Sequence, residues 1–174
     1  MPTVVPCPLP PSALLLASQA AGAFVDCYTT EVAGPVSHAE FVEAFYTTWL
    51  FKLERLLLGL LARRPTSDQQ AMELATGSSD DFAIWRVEQR RTDQLLLADE
   101  TGRTKSWLMT ESQAMQGEPD TAPGTRLYFG SALIPRTDRR TGQKRFGTLF
   151  HLLLGFHRAY SRALLRACAA RVTR

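Results

Sequence analysis

His157 and Tyr160 stand one helical turn apart in the stretch GFHRAYSRALLRACAARV, residues 155–172. Their neighbours are apolar or basic, so an imidazole and a phenol here are candidates for chemistry. An imidazole moves protons near neutral pH, and both groups suit the few polar contacts of an apolar cavity. The pair equally suits a core histidine satisfied by a backbone carbonyl, beside a tyrosine with its hydroxyl at an edge. Asp26 is the other unusual group, a carboxylate inside the apolar stretch AFVDCYTTEV, residues 23–32. It either faces solvent or pairs with His157 or an arginine of the terminal helix.

Other chemistry finds little support. The histidines are His38, His151 and His157. The last two are separated by about 600° of helix, so they cannot serve one metal ion. His38 opens a helix, where a histidine is usually exposed. No HExxH, GxSxG or glycine-rich phosphate loop is present. A Ser-His-Asp or Cys-His triad needs only to meet in space, but nothing local points to one. Cys7, Cys27 and Cys168 form no CxxC pair, and Cys27 and Cys168 lie in apolar settings where a thiol is normally inert. Neither a metal nor a cofactor is expected.

The elements that must position these groups follow from the pattern. Residues 1–11 hold five of the ten prolines and predict an extended lead-in. FVDCYTTEV predicts a strand. Ser37 followed by Glu40 has the capping-box spacing, so a helix starts at His38 and runs, kinked or restarted at Thr47 and Thr48, to about Arg64 before Pro65. Its leucines at 56–58, 60 and 61 surround more than one face, which suits deep burial or a partner. A short helix over 66–77 closes on Gly77. From Asp81 the period becomes two. IWRVEQRR, QLLLAD, KSWLMTES and TRLYFGSALIP predict antiparallel strands, the first three joined by tight turns. A basic loop and a helix from about Thr148 to Arg171 end the chain. On that helix Leu149, Leu153, Phe156, Tyr160 and Leu164 form an expected core stripe, and Arg158, Arg162 and Arg166 a water-facing row.

At 174 residues, 45% hydrophobic and 21% charged, the chain suits one globular domain over residues 1–174. The net charge of +3 hides an asymmetry: residues 136–174 carry ten Lys or Arg against Asp138 alone. Such a segment could attract a polyanion, but it lacks interleaved aromatics and any binding motif, so no nucleic-acid partner is expected. Free thiols suit a reducing cytosol. Residues 41–61 are long enough to span a bilayer, yet Glu43, Lys52, Glu54 and Arg55 oppose it, and no transmembrane segment is expected. A cytoplasmic location follows as the expectation.

Segregated helices and strands argue for an α+β fold. The order FVDCYTTEV, helical insert, strand series and LFHLLLGFHRAYSRALLRACA resembles the helix-grip fold of the START-like, or SRPBCC, superfamily, and looks most like a bacterial branch of it. The resemblance implies a curved antiparallel sheet wrapped around a long C-terminal helix, with a two- or three-helix insert after the first strand. Helix-grip sheets usually have six or seven strands, whereas this pattern shows about five. The resemblance also implies a cavity between sheet and helix for a small hydrophobic or amphipathic ligand. Tyr28, Trp85, Trp107, Tyr128, His157 and Tyr160 are the candidate lining, with Trp85, Trp107 and Tyr128 on the concave face. An enzyme of the cyclase or hydratase kind, using His157, Tyr160 or Asp26 as acid or base, is the alternative. A second alternative is an interaction protein that uses the leucine-rich helix, with a homodimer through that helix as one form of it.

Overall fold

Continuous apolar runs in short strands mean burial on both faces, and QLLLAD is the clearest case. Leu95 and Leu97 enter one core while Leu96, between them, enters another. The computed structural model describes residues 2–53, 55, 66–113, 124–137, 144–145 and 148–173; for 136, 137, 144, 145 and 148–153 it describes the backbone alone. The strands are β1 (Val5–Pro6), β2 (Phe24–Val32), β3 (Asp81–Phe82), β4 (Trp85–Arg90), β5 (Gln94–Asp99), β6 (Thr104–Gln113), β7 (Gly124–Leu133), β8 (Arg136–Thr137) and β9 (Lys144–Arg145). The first seven form one antiparallel sheet in the order β1-β2-β7-β6-β5-β4-β3, and β8 pairs with β9. The fold is the expected α+β arrangement, a curved open sheet with the C-terminal helix packed against it. The two strands of this sheet beyond the expected five, β1 and β3, have two residues each, and β1 contains Pro6. Neither is long enough to show a period.

The helices are α1 (Leu16–Ala20), α2 (His38–Tyr46), α3 (Asp68–Thr76) and α4 (Thr148–Val172). Both expected boundaries of α2 have visible causes. At its start Ser37 Oγ accepts from the Glu40 amide at 3.2 Å, and Glu40 Oε2 accepts from the Ser37 amide at 2.8 Å. At its end Thr47 Oγ1 turns back to donate to the Glu43 carbonyl, while Thr48 Oγ1 accepts from the Phe51 amide. The chain is helical again at residues 49–53 and 55. The leucines at 56–58, 60 and 61 lie outside the described residues. α3 ends, as expected, on Gly77, whose φ of 82° is left-handed and costs glycine little.

Alternation divides the sheet into two cores. Tyr28, Leu95, Leu97, Leu108, Leu127 and Phe129 meet α2 and α4, which contribute Phe41, Phe45, Tyr46, Leu164, Leu165 and Cys168. On the opposite face, Leu96, Trp107, Met109, Tyr128 and Ala132 are covered by an N-terminal strap that supplies Ala13, Leu14 and Leu15. Gly130 allows this second layer. A Cβ there would meet Trp107 Cε3 at 2.9 Å and Leu15 Cδ2 at 3.1 Å.

The terminal helix corrects one expectation. Phe156 is not in the core stripe; it is 69% exposed. The buried line comprises Ser161, Leu164, Leu165, Cys168 and Ala169, with His157 half-buried at its outer end. Leu149 and Leu153 lie where side chains are not described. Arg158, Arg162 and Arg166 face outward as expected. His38 is also corrected: it is buried, 9% exposed. Among the described residues no helix is long and apolar enough to cross a membrane.

Candidate functional site

β2 and β7 run antiparallel with Asp26 opposite Ser131. Both side chains point to the helix face, and α4 brings His157 down onto them. Ser131 Oγ donates to Asp26 Oδ1 at 2.6 Å. It also lies 2.8 Å from His157 Nε2, and that nitrogen is 3.3 Å from Asp26 Oδ2. Tyr28 OH donates to Asp26 Oδ2 at 3.4 Å. The reading of Asp26 as a solvent-facing residue is therefore corrected: its side chain is 9% exposed, and its partner is the histidine. Burial pushes the Asp26 carboxyl up, but hydrogen bonds from His157 and Ser131 outweigh this and hold it below the usual carboxylate range. Burial and the Asp26 charge raise the Tyr28 phenol.

Counting protons fixes the tautomer of His157. An ionised Asp26 only accepts, and Ser131 has one proton, which it gives to Asp26. Nε2 must then carry a proton, shared between Ser131 Oγ at 2.8 Å and Asp26 Oδ2 at 3.3 Å. In the neutral form of the ring the lone pair is then on Nδ1. This is not a nucleophile-activating triad, which needs the serine on an imidazole lone pair and the acid on the other nitrogen. Here both partners meet Nε2, and Ser131 is 3% exposed. The arrangement can instead orient an imidazole as a base or hydrogen-bond acceptor at Nδ1.

A polar line continues inward from this cluster. Thr30 shares the helix face of β2 with Asp26 and Tyr28, and Ser161 lies one turn beyond His157 on α4. Both hydroxyl oxygens are buried, and among the described residues neither has a hydrogen-bond partner. Thr30 is 2% exposed and Ser161 1%. Each such group costs about 1–3 kcal/mol when left unpaired. Ser106, opposite Ser131 on β6, is in contrast satisfied by Tyr46 OH at 3.0 Å. Outside the cluster Phe156 stacks on Tyr160, with centroids 5.9 Å apart and planes 11° from parallel. Arg162 lies over the Tyr28 ring at 5.5 Å.

The six candidate lining residues thus separate. Tyr28, His157 and Tyr160 gather where α4 meets the sheet. Trp107 and Tyr128 belong to the opposite face, under the strap, which corrects the expectation that they line the helix side. Trp107 pairs with Gly130 and Tyr128 with Met109 across β6 and β7, one residue out of phase with Leu108 and Phe129. A one-residue offset puts a side chain on the other face. Trp85 faces the helix side but on β4, four strands from β2, or about 19 Å at ordinary strand spacing. It borders a groove of about 780 Å³ at that edge, together with Ala83, Ile84, Val87, Asp81 and Glu88. Asp81 is paired there with Arg86, and Glu88 with Lys105. His151 lies where side chains are not described. Ser131 was missed because no local motif marks it. Its place comes from strand register across 105 residues.

The chain matches no protein-family model, no curated protein and no solved structure.

Proposed function

We propose that this chain binds a small amphipathic molecule where α4 meets β2 and β7. In this reading the polar end of the ligand meets His157 Nδ1, and its apolar part lies against Phe156 and Tyr160. The observation that carries the reading is the Asp26–Ser131–His157 cluster where α4 packs on a largely apolar sheet face. The buried hydroxyls of Thr30 and Ser161 add unused hydrogen-bonding capacity to the same seam. Apolar walls with a few oriented polar groups are the usual chemistry of a small-molecule site. The resemblance to the helix-grip superfamily points to the same place.

The test is titration with an anionic naphthalene fluorophore, then displacement by straight-chain fatty acids. Phe156→Ala removes an exposed ring and should leave the melting temperature in place while weakening probe binding about tenfold, or 1.4 kcal/mol. His157→Phe should weaken it as well. Unchanged affinity in both variants overturns the reading.

A second reading, acid–base chemistry on a bound small molecule, is favoured by the orientation of the imidazole. A histidine whose Nε2 is held by a serine and a carboxylate is oriented as a general base needs to be. Nitrogen-15 correlation spectra at neutral pH should show His157 protonated at Nε2. Protonation at Nδ1 in the neutral ring removes the basis of this second reading.

A further inference from the structure

The N-terminal strap brings two thiols together on the sheet face away from α4. β1 pairs with β2 in the register Val5 to Thr29 and Pro6 to Tyr28, so Cys7 falls opposite Cys27. The Cys7 amide donates to the Cys27 carbonyl at 3.0 Å. The two sulfurs are 3.3 Å apart, within hydrogen-bond contact. Hydrogen-bonded antiparallel pairs have Cα atoms about 5.5 Å apart. That falls inside the roughly 4.4–6.8 Å that a disulfide requires. The bond forms when the sulfurs close from 3.3 Å to about 2.05 Å.

We propose that Cys7 and Cys27 are a modification site at which a low-molecular-weight disulfide forms a reversible intramolecular bond, tying the strap to β2.

The surroundings divide the roles. Cys7 is half-buried at the surface, whereas Cys27 is 5% exposed. The contact between the two sulfurs lowers the Cys7 thiol against the effect of burial and raises Cys27. Cys7 is therefore the attacking thiolate. It displaces one thiolate from glutathione disulfide and becomes a mixed disulfide. Cys27 loses its proton, attacks the Cys7 sulfur and releases the second glutathione thiolate. In sum, two protein thiols and one glutathione disulfide give one protein disulfide and two glutathione thiols. Cys168 is 0% exposed, donates to the Phe41 carbonyl, and has its thiol raised by burial. It provides an internal control.

The full chain is equilibrated in glutathione buffers of increasing oxidised fraction, quenched by alkylation and weighed intact. The expected product has lost two alkylatable thiols together and kept one, with a Cys7–Cys27 cross-linked peptide on digestion. Cys27→Ser should trap one glutathione on Cys7. In Cys7→Ser, Cys27 should react about tenfold more slowly or less, having lost its attacking partner. The oxidised wild type should melt several degrees higher than the reduced protein, since the bond closes a 20-residue separation. Three outcomes overturn the proposal: a wild type that accumulates glutathione at Cys7 without cross-linking, a Cys7→Ser protein whose Cys27 is oxidised as fast as before, or bonds formed between chains instead of within one.

Discussion

Asp26 is held by three donors, and its contribution to stability has a definite sign with pH. A carboxyl whose folded pKa lies below its unfolded one stabilises the fold above the unfolded value of about 3.9 and loses that effect as pH falls through the folded value. Stability measured by urea unfolding should therefore decline from about pH 5 downward, in part through Asp26. Asp26→Asn cannot accept from both Ser131 and His157 as the carboxylate does. It should cost about 1–3 kcal/mol at pH 7 and flatten the acid limb. A variant with the wild-type profile would show that the cluster adds nothing to the fold. Gly130 makes a second prediction at this scale. Its absent Cβ would press on Trp107, Leu15 and the Asp26 carbonyl, which lies 3.1 Å away and belongs to the backbone. Gly130→Ala should cost about 1–3 kcal/mol by overpacking. A melt unchanged within error would mean that Trp107 and Leu15 give way freely.

Among the elements, α2 was the most legible because its start is local. Ser37 and Glu40 are three residues apart, and the reciprocal bonds between them close as the spacing implies. Ser37→Ala should lose about 1 kcal/mol and lower the melting temperature by a few degrees. A Glu40→Gln protein should lose less, because glutamine completes the same box between Gln70 and Ser67. Equal losses in the two variants would refute the cap as the cause. The strands of residues 81–113 were legible for the same reason: turn chemistry and period two act over a few residues. The terminal helix was legible in length but not in phase. Apolar type alone put Phe156 in the core stripe, whereas the packing line turns through His157 and Ser161. Pairings between distant segments left no local trace. Cys7 with Cys27, Asp26 with Ser131 and His157, and the placement of Trp107 away from the helices all depend on register, which a one-residue shift reverses.

Across the whole molecule, the strap makes the sheet a layer with a core on each face. Without it Leu96, Trp107, Met109 and Tyr128 would form an apolar patch on the surface. Gln94 holds the strap from within the sheet. It is 1% exposed, its Oε1 accepts from the Leu14 amide at 3.0 Å and from Trp107 Nε1 at 2.9 Å, and its Nε2 donates to the Ser12 carbonyl. One side chain thus joins β5, β6 and the strap. Gln94→Met keeps the volume close to native but leaves two buried donors without acceptors. At about 1–3 kcal/mol for each, the variant should lose at least ~2 kcal/mol. The loss should also be localised, because the helix-side core does not touch this bridge. Hydrogen exchange should rise first at Leu14 and its strap neighbours, while the amides of β7 and the C-terminal half of α4 keep their protection. Dye binding to the uncovered face should appear before global unfolding. If Gln94→Met instead loosens both faces together, the two cores unfold as one unit and the strap is integral to the sheet. If exchange at Leu14 is unchanged, burial of Leu14 and Leu15 holds the strap without the glutamine.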